Sequence, residues 1–209
     1  MISRDEYGYE IFDEIVRDQT IELGKTKYIE KVYDSVFHNC VFITHQIEHF
    51  LAGNCEFYNC EFRPKKRLKS SIRDNYWENC RFFGEFRGTH FGAATDYNGV
   101  PTRWPEIALR GCDFSKATMS WCHLCRLDIA STVFPLWPCF TIVNPHQNRL
   151  RWINAELPFS QRIIDYIDVS HTDAIMLNWT AMAKLYKYSP ALDPEDVRSA
   201  LSKLDLIRL

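Results

Sequence analysis

Cys112-Asp113-Phe114-Ser115-Lys116, Ala117-Thr118-Met119-Ser120-Trp121, Cys122-His123-Leu124-Cys125-Arg126, Leu127-Asp128-Ile129-Ala130-Ser131, Thr132-Val133-Phe134: read in fives, this stretch puts Phe, Met, Leu, Ile and Phe in the third place. The first place holds Cys, Ala, Cys, Leu and Thr, mostly small residues. A helix cannot keep this period, because five steps at 3.6 residues per turn carry a side chain about 140° off the buried face. A flat strand fails as well, since an odd step moves a side chain to the opposite face. The period is met by a chain that turns a corner every five residues. Each short face then points its first and third residues inward, in keeping with the strand period of two.

The spacing recurs upstream in Ser35-Val36-Phe37-His38-Asn39, Cys40-Val41-Phe42, Cys55-Glu56-Phe57-Tyr58-Asn59, Cys60-Glu61-Phe62, Cys80-Arg81-Phe82 and Thr89-His90-Phe91. These units resemble the pentapeptide-repeat family, whose repeat runs Ala/Cys, Asp/Asn, Leu/Phe, Ser/Thr, any. The resemblance covers residues 35–134, with breaks. It implies a right-handed quadrilateral β-helix with about 20 residues per coil, a solenoid in which each coil buries its neighbour. The expected class is therefore mainly β: an N-terminal β cap over 1–34, the β-helix over 35–134, and a mixed, mostly helical capping segment over 135–209.

Composition sets the outer bounds. A chain of 209 residues makes one elongated domain or two small ones. Its 46% hydrophobic and 25% charged residues are ordinary for a globular protein. No apolar run approaches the roughly 20 residues of a membrane helix. The start, Met1-Ile2-Ser3-Arg4-Asp5-Glu6, is polar and unlike a signal peptide, so a cytoplasmic location is expected. In that compartment the eight cysteines stay reduced. Cys40, Cys55, Cys60, Cys80, Cys112 and Cys122 occupy the first place of a unit, where Cys acts as a small buried hydrophobe.

Outside the clearest repeats the reading is local. Ser3 and Glu6 form a capping-box pattern for a short helix. Gln19–Leu23 and Tyr28–Tyr33 read as two strands joined by a turn at Gly24, covering the open first coil. Thr44–Gly53 loses register, and the four-residue step from Phe82 to Phe86 requires a shortened or shifted corner. Loops are expected near 63–75 and 92–111. Beyond Pro135, Phe140–Val143 reads as a last strand, 144–158 as loop and Ser160–Ile167 as a short helix. Ile175, Trp179, Met182, Ala183 and Tyr186 recur at threes and fours, which predicts a helix from Thr172 to about Tyr188. Asp193 before Pro194 starts another, with Val197, Leu201 and Leu204 as its buried stripe. Gyrase-protecting members of the family dimerise through their C-terminal ends, so the resemblance also implies a homodimer through 135–209 as the alternative to a plain cap.

Trp121-Cys122-His123-Leu124-Cys125 has the spacing of a thiol redox motif, but such motifs need a helix N-terminus to lower the thiol pKa. The five-residue register places Cys122 inside and Cys125 outward, where it would react readily. The same split removes a converging zinc ligand set. No nucleophile elbow, phosphate loop, dinucleotide fingerprint or zincin motif occurs, so no catalytic, cofactor or metal residue is assigned. The candidates for partner contact are Arg63, Lys65, Lys66, Arg67 and Lys69 in a basic loop, together with Trp104 and Trp121.

Charge decides between the functional classes. Residues 35–134 carry twelve Lys and Arg against ten Asp and Glu, a net +2, while 1–34 carries −4 and 135–209 is neutral. A DNA mimic needs dense negative charge, so a gyrase-binding mimic and nucleic-acid binding are both disfavoured. The expected function is a non-enzymatic protein-binding module that masks or inhibits a partner, in the manner of a toxin-neutralising or enzyme-protecting protein. The alternatives are an enzyme with its site in Pro135–Leu209 and, less favoured by charge, the gyrase-binding DNA mimic.

Overall fold

The computed structural model describes residues 2–5, 8–25, 30–45, 50–69, 72, 74–93, 103–104, 106–155, 157, 159–168, 172–186 and 192–209. The chain is mainly β, and its short strands visit the same sheets in turn. β1 (Ile2–Asp5) folds back antiparallel on β2 (Gly8–Phe12). Then β3 (Ile15–Arg17), β4 (Thr20–Leu23) and β5 (Glu30–Tyr33) each lie in a different sheet. β6 (Val36–His38), β7 (Val41–Thr44), β8 (Phe50–Gly53), β9 (Glu56–Tyr58) and β10 (Glu61–Phe62) continue the cycle. β11 (Tyr76–Glu78), β12 (Arg81–Arg87), β13 (His90–Gly92), β14 (Leu109–Arg110), β15 (Asp113–Ser120) and β16 (Cys122–Cys125) complete it. Three sheets result, in the orders β1-β2-β5-β8, β3-β6-β9-β11-β14 and β4-β7-β10-β12-β15. All their pairings are parallel except β1 with β2.

Register explains the period. Val16 lies opposite Phe37, Phe37 opposite Phe57, and Phe57 opposite Trp77. The third places thus stack in columns. Phe37 and Phe57 stack at 5.2 Å and Phe57 and Trp77 at 4.3 Å. The neighbouring column runs Phe42–Phe62 at 4.8 Å, Phe62–Phe82 at 5.4 Å and Phe82–Phe114 at 4.4 Å. These spacings follow the separation of paired strands, about 4.8 Å, within the range where offset aromatic rings attract. First-place cysteines line the adjoining corner. The thiols of Cys40, Cys60, Cys80 and Cys112 donate to the carbonyls of Val16, Phe37, Phe57 and Trp77 in the passage beneath, at 3.3–3.7 Å.

The fifth place makes the corners. Asp13, Asp18, Asp34, Asn39, Asn54, Asn59, Asp74 and Asn79 all have φ between 51° and 58°. Asn and Asp tolerate this left-handed conformation better than other L-residues with a Cβ.

Several expectations need correction. The sheets start well before residue 35: Ile11, Val16 and Ile21 are buried third-place residues, and β3 and β4 pair directly with β6 and β7. The N-terminal segment is therefore part of the stack, closed by β1, and β4 and β5 do not pair with each other. The units of β3 and β4 hold Glu14 and Gln19 in the first place instead of Cys, which hides the repeat. No capping-box helix forms at Ser3, because Ile2–Asp5 is a strand; Glu6 lies outside the described residues. Register returns by Ala52, which pairs with Val32; Gln46–His49 lie outside the described residues. The short step at Phe82–Phe86 is a register shift between β12 and β15, after which Phe86 pairs with Met119. Phe114, Met119 and Leu124 are fully buried, but Phe114 and Met119 lie on the single strand β15, with no corner between Lys116 and Ala117; Ile129 lies in a single 3-10 turn, and both it and Phe134 are half-buried.

The last segment joins the stack by its edge. β17 (Cys139–Val143), β18 (Ala174–Asn178) and β19 (Ile207–Arg208) extend the pair β13–β16 into a fourth sheet, with β18 antiparallel to β16. Four helices cover it: α1 (Arg149–Asn154), α2 (Ser160–Asp168), α3 (Trp179–Tyr186) and α4 (Pro194–Ser202). α1 falls where a loop was expected. The helix predicted from Thr172 is half strand, because Ala174–Asn178 is buried along its whole length and such a run pairs as a central strand. α4 starts as predicted, with the Asp193 carboxylate accepting from the Glu195 N–H at 2.8 Å. Among the described residues, no helix is long and apolar enough to cross a membrane.

Candidate protein-binding face

The basic loop is tied down at Leu68 and at Lys65. The Leu68 N–H donates to the Glu85 carbonyl at 2.8 Å, the Arg87 N–H donates to the Leu68 carbonyl at 2.9 Å, and the Leu68 side chain is buried. Leu68 thus adds to β12 on the side away from β15, as its parallel bridge to Phe86 records. The Lys65 N–H donates to the Thr44 carbonyl at 2.8 Å. Fixed this way, the side chains of Lys65, Lys66, Arg67 and Lys69 are exposed together.

Arg63 is committed elsewhere. It pairs with the buried Glu61, which also holds Arg81, and its guanidinium lies 4.8 Å from the centre of the Phe83 ring. The Lys116 ammonium lies 5.7 Å from the centre of the same ring. The two aromatic candidates do not join the patch. Trp104 is half-buried under Arg103, which reaches across to Glu56 of β9 at 3.0 Å and to the Asn54 carbonyl at 3.1 Å. Trp121 is only 9% exposed, with its ring edge-on to Tyr166 at 4.6 Å and near Tyr186 at 6.1 Å. It is a core residue of the C-terminal segment and offers no free face; the helices that cover it were not visible in the repeat pattern.

The same covering corrects Cys125. Its outward position is closed by the loop before β18, and burial pushes its thiol up to about 11 despite the Thr172 hydroxyl beside it. A thiol so raised carries almost no thiolate at neutral pH and is a poor nucleophile. All eight cysteines are free and buried. His123, also buried, stacks on His90 at 4.4 Å and is hydrogen-bonded to the Tyr166 hydroxyl.

Two concavities were not foreseen. A polar hollow of about 370 Å³ lies beside Cys125, lined by Glu106, Arg126, His146 and Asp173. Asp173 is partly used already, accepting from the Leu127 N–H at 2.9 Å. A longer groove of about 590 Å³ runs between Lys116–Thr118 of β15, the Leu136–Pro138 segment, and Lys184 on α3. The prolines after Phe134 were readable as the end of the repeats; that Pro138 walls a groove depends on where α3 packs, which local pattern does not encode. Comparison with family models, curated proteins and solved structures gave no match.

Proposed function

We propose that the repeats form a right-handed quadrilateral β-helix of the pentapeptide-repeat kind, and that the protein is a non-enzymatic binding module that masks or inhibits a protein partner. The observation that carries this reading is the set of exposed cations Lys65, Lys66, Arg67 and Lys69 in a loop anchored by the buried Leu68. A fixed cluster of one sign steers and orients an acidic surface. The interior of the repeats supports the reading too, because stacked aromatic rings fill it and leave no room for a substrate. Eight free thiols favour a reducing compartment, the cytoplasm.

The polar hollow beside Cys125 favours the enzyme as second reading. Against it, burial pushes the Cys125 thiol there up to about 11, which makes it a poor nucleophile. Affinity capture from a lysate of the source organism tests the first reading. The wild type should retain a protein at moderate salt, and the variant with Lys65, Lys66, Arg67 and Lys69 changed to Ala should lose it at unchanged Tm. Equal capture by both overturns the role of the loop. Protection of gyrase supercoiling from a quinolone at micromolar protein would overturn the choice against a DNA mimic.

A further inference from the structure

Resting on the reading of the chain as a partner-binding module, we propose that the outer edge of β15 receives an extended acidic segment of the partner as an added strand. β15 is the outermost strand of its five-stranded sheet. Among the described residues its outer edge is engaged near its ends: Asp113 bridges Val133, and the Met119 N–H donates to the Cys139 sulfur at 3.3 Å. Between these points Lys116, Ala117 and Thr118 border the groove. An edge strand in a groove is the geometry by which a peptide adds to a sheet, main chain giving affinity and alternate side chains giving selectivity.

The pleat specifies the occupant. Lys116 and Thr118 point outward and are exposed, while Ala117 points inward. A strand laid alongside would place one side chain over Ala117, against the 64% exposed Leu136 and the neighbouring Trp137, and its next neighbours outward beside Lys116. Alternating apolar and acidic residues fit that sequence of environments. The groove carries Lys116 and Lys184 against the single acid Glu85. The basic loop lies on the same face: Leu68 bridges Phe86, and Phe86 pairs with Met119. Two strand spacings, about 10 Å, therefore separate the loop from β15. Lys116 has a second consequence. A lysine on an edge deters pairing between identical copies but complements an acidic strand.

A labelled ten-residue peptide alternating Val and Glu is the probe, read by fluorescence anisotropy. A peptide of equal charge with Pro in place of each Val is the control, since Pro supplies no N–H to a ladder. The wild type should bind the Val–Glu peptide at least tenfold more tightly than the control. Binding should slow amide exchange at Ala117, whose N–H faces the same edge as that of Met119. Lys116→Glu with Lys184→Glu, and separately Leu136→Glu, should each weaken it about tenfold or more; all three side chains are exposed, so the fold should survive. The Ala variant of the loop should weaken both peptides alike and keep their ratio. Equal binding of the two peptides, binding without protection of Ala117, or no binding would each overturn the added strand. Loop-dependent capture of a partner alongside any of these results would leave the binding-module reading standing; absence of capture would remove that reading separately.

Discussion

Raising the pH should unfold this protein through its buried cysteines. Burial pushes the thiols of Cys55, Cys112 and Cys122 up to about 12, whereas an unfolded chain ionises them near 8.5. The preference for the neutral thiol is fully present below about pH 8.5 and is lost as the pH climbs toward the folded values. At pH 9.5 each unfolded thiol gains about 1.4 kcal/mol from ionisation that its folded counterpart does not, so the three together remove about 4 kcal/mol. A domain with about 5–15 kcal/mol in hand cannot absorb much more. Urea titrations followed by circular dichroism at pH 7.5, 8.5 and 9.5, under a reductant, should show the midpoint falling steeply over the last unit. Cys122→Ala should reduce the pH slope by about one proton, apart from its own packing loss. A stability equal at pH 7.5 and 9.5, or native thiols that alkylate as fast as unfolded ones, would refute the reasoning.

Leu124→Asp puts an unpaired charge where no solvent reaches, and should abolish folding, read as loss of the β signal and of soluble yield; a soluble variant with unchanged Tm would contradict the packing. Trp121→Ala should cost about 3–5 kcal/mol by emptying the contacts with Tyr166 and Tyr186, measurable by urea denaturation. Gly92→Ala should lower Tm sharply, because φ is +82° and the new Cβ would stand 2.0 Å from the Cys125 carbonyl oxygen. At Asn59, φ +54°, Val should cost roughly 1–2 kcal/mol and Gly much less, the difference reporting the corner itself.

The repeated passages were legible because their cause is local: a buried residue at every third place and a small one at every first. Where the first place departs from Cys or Ser, as at Glu14 and Gln19, the same strands formed unannounced, since pairing with Val36–His38 and Val41–Thr44 decided them. The corner residues carry a signal that the inward places do not, an Asn or Asp before the next first place, and it reaches back to Asp13. In the last segment, Ala174–Asn178 is apolar throughout, so its period is uninformative, and only the free edge of β16 explains why it extends. The candidate face was half legible. Composition exposed the basic loop, but Arg63 belongs to Glu61, and Trp121 was misjudged because its cover comes from residues over 40 positions away.

Trp77 and Leu109 are direct partners although thirty-two residues apart, where Phe57 and Trp77 are twenty apart. The dozen extra residues leave the strands on either side in their columns, with Phe82 stacked on Phe114 more closely than Phe42 on Phe62 or Phe62 on Phe82 below. Closing a longer loop costs little, about 0.6 kcal/mol for each doubling. That corner is accordingly a natural grafting point. A change of length between Ala93 and Arg103 should leave Phe57 stacked on Trp77 and Phe82 on Phe114, provided that Arg103 keeps its hold on Glu56.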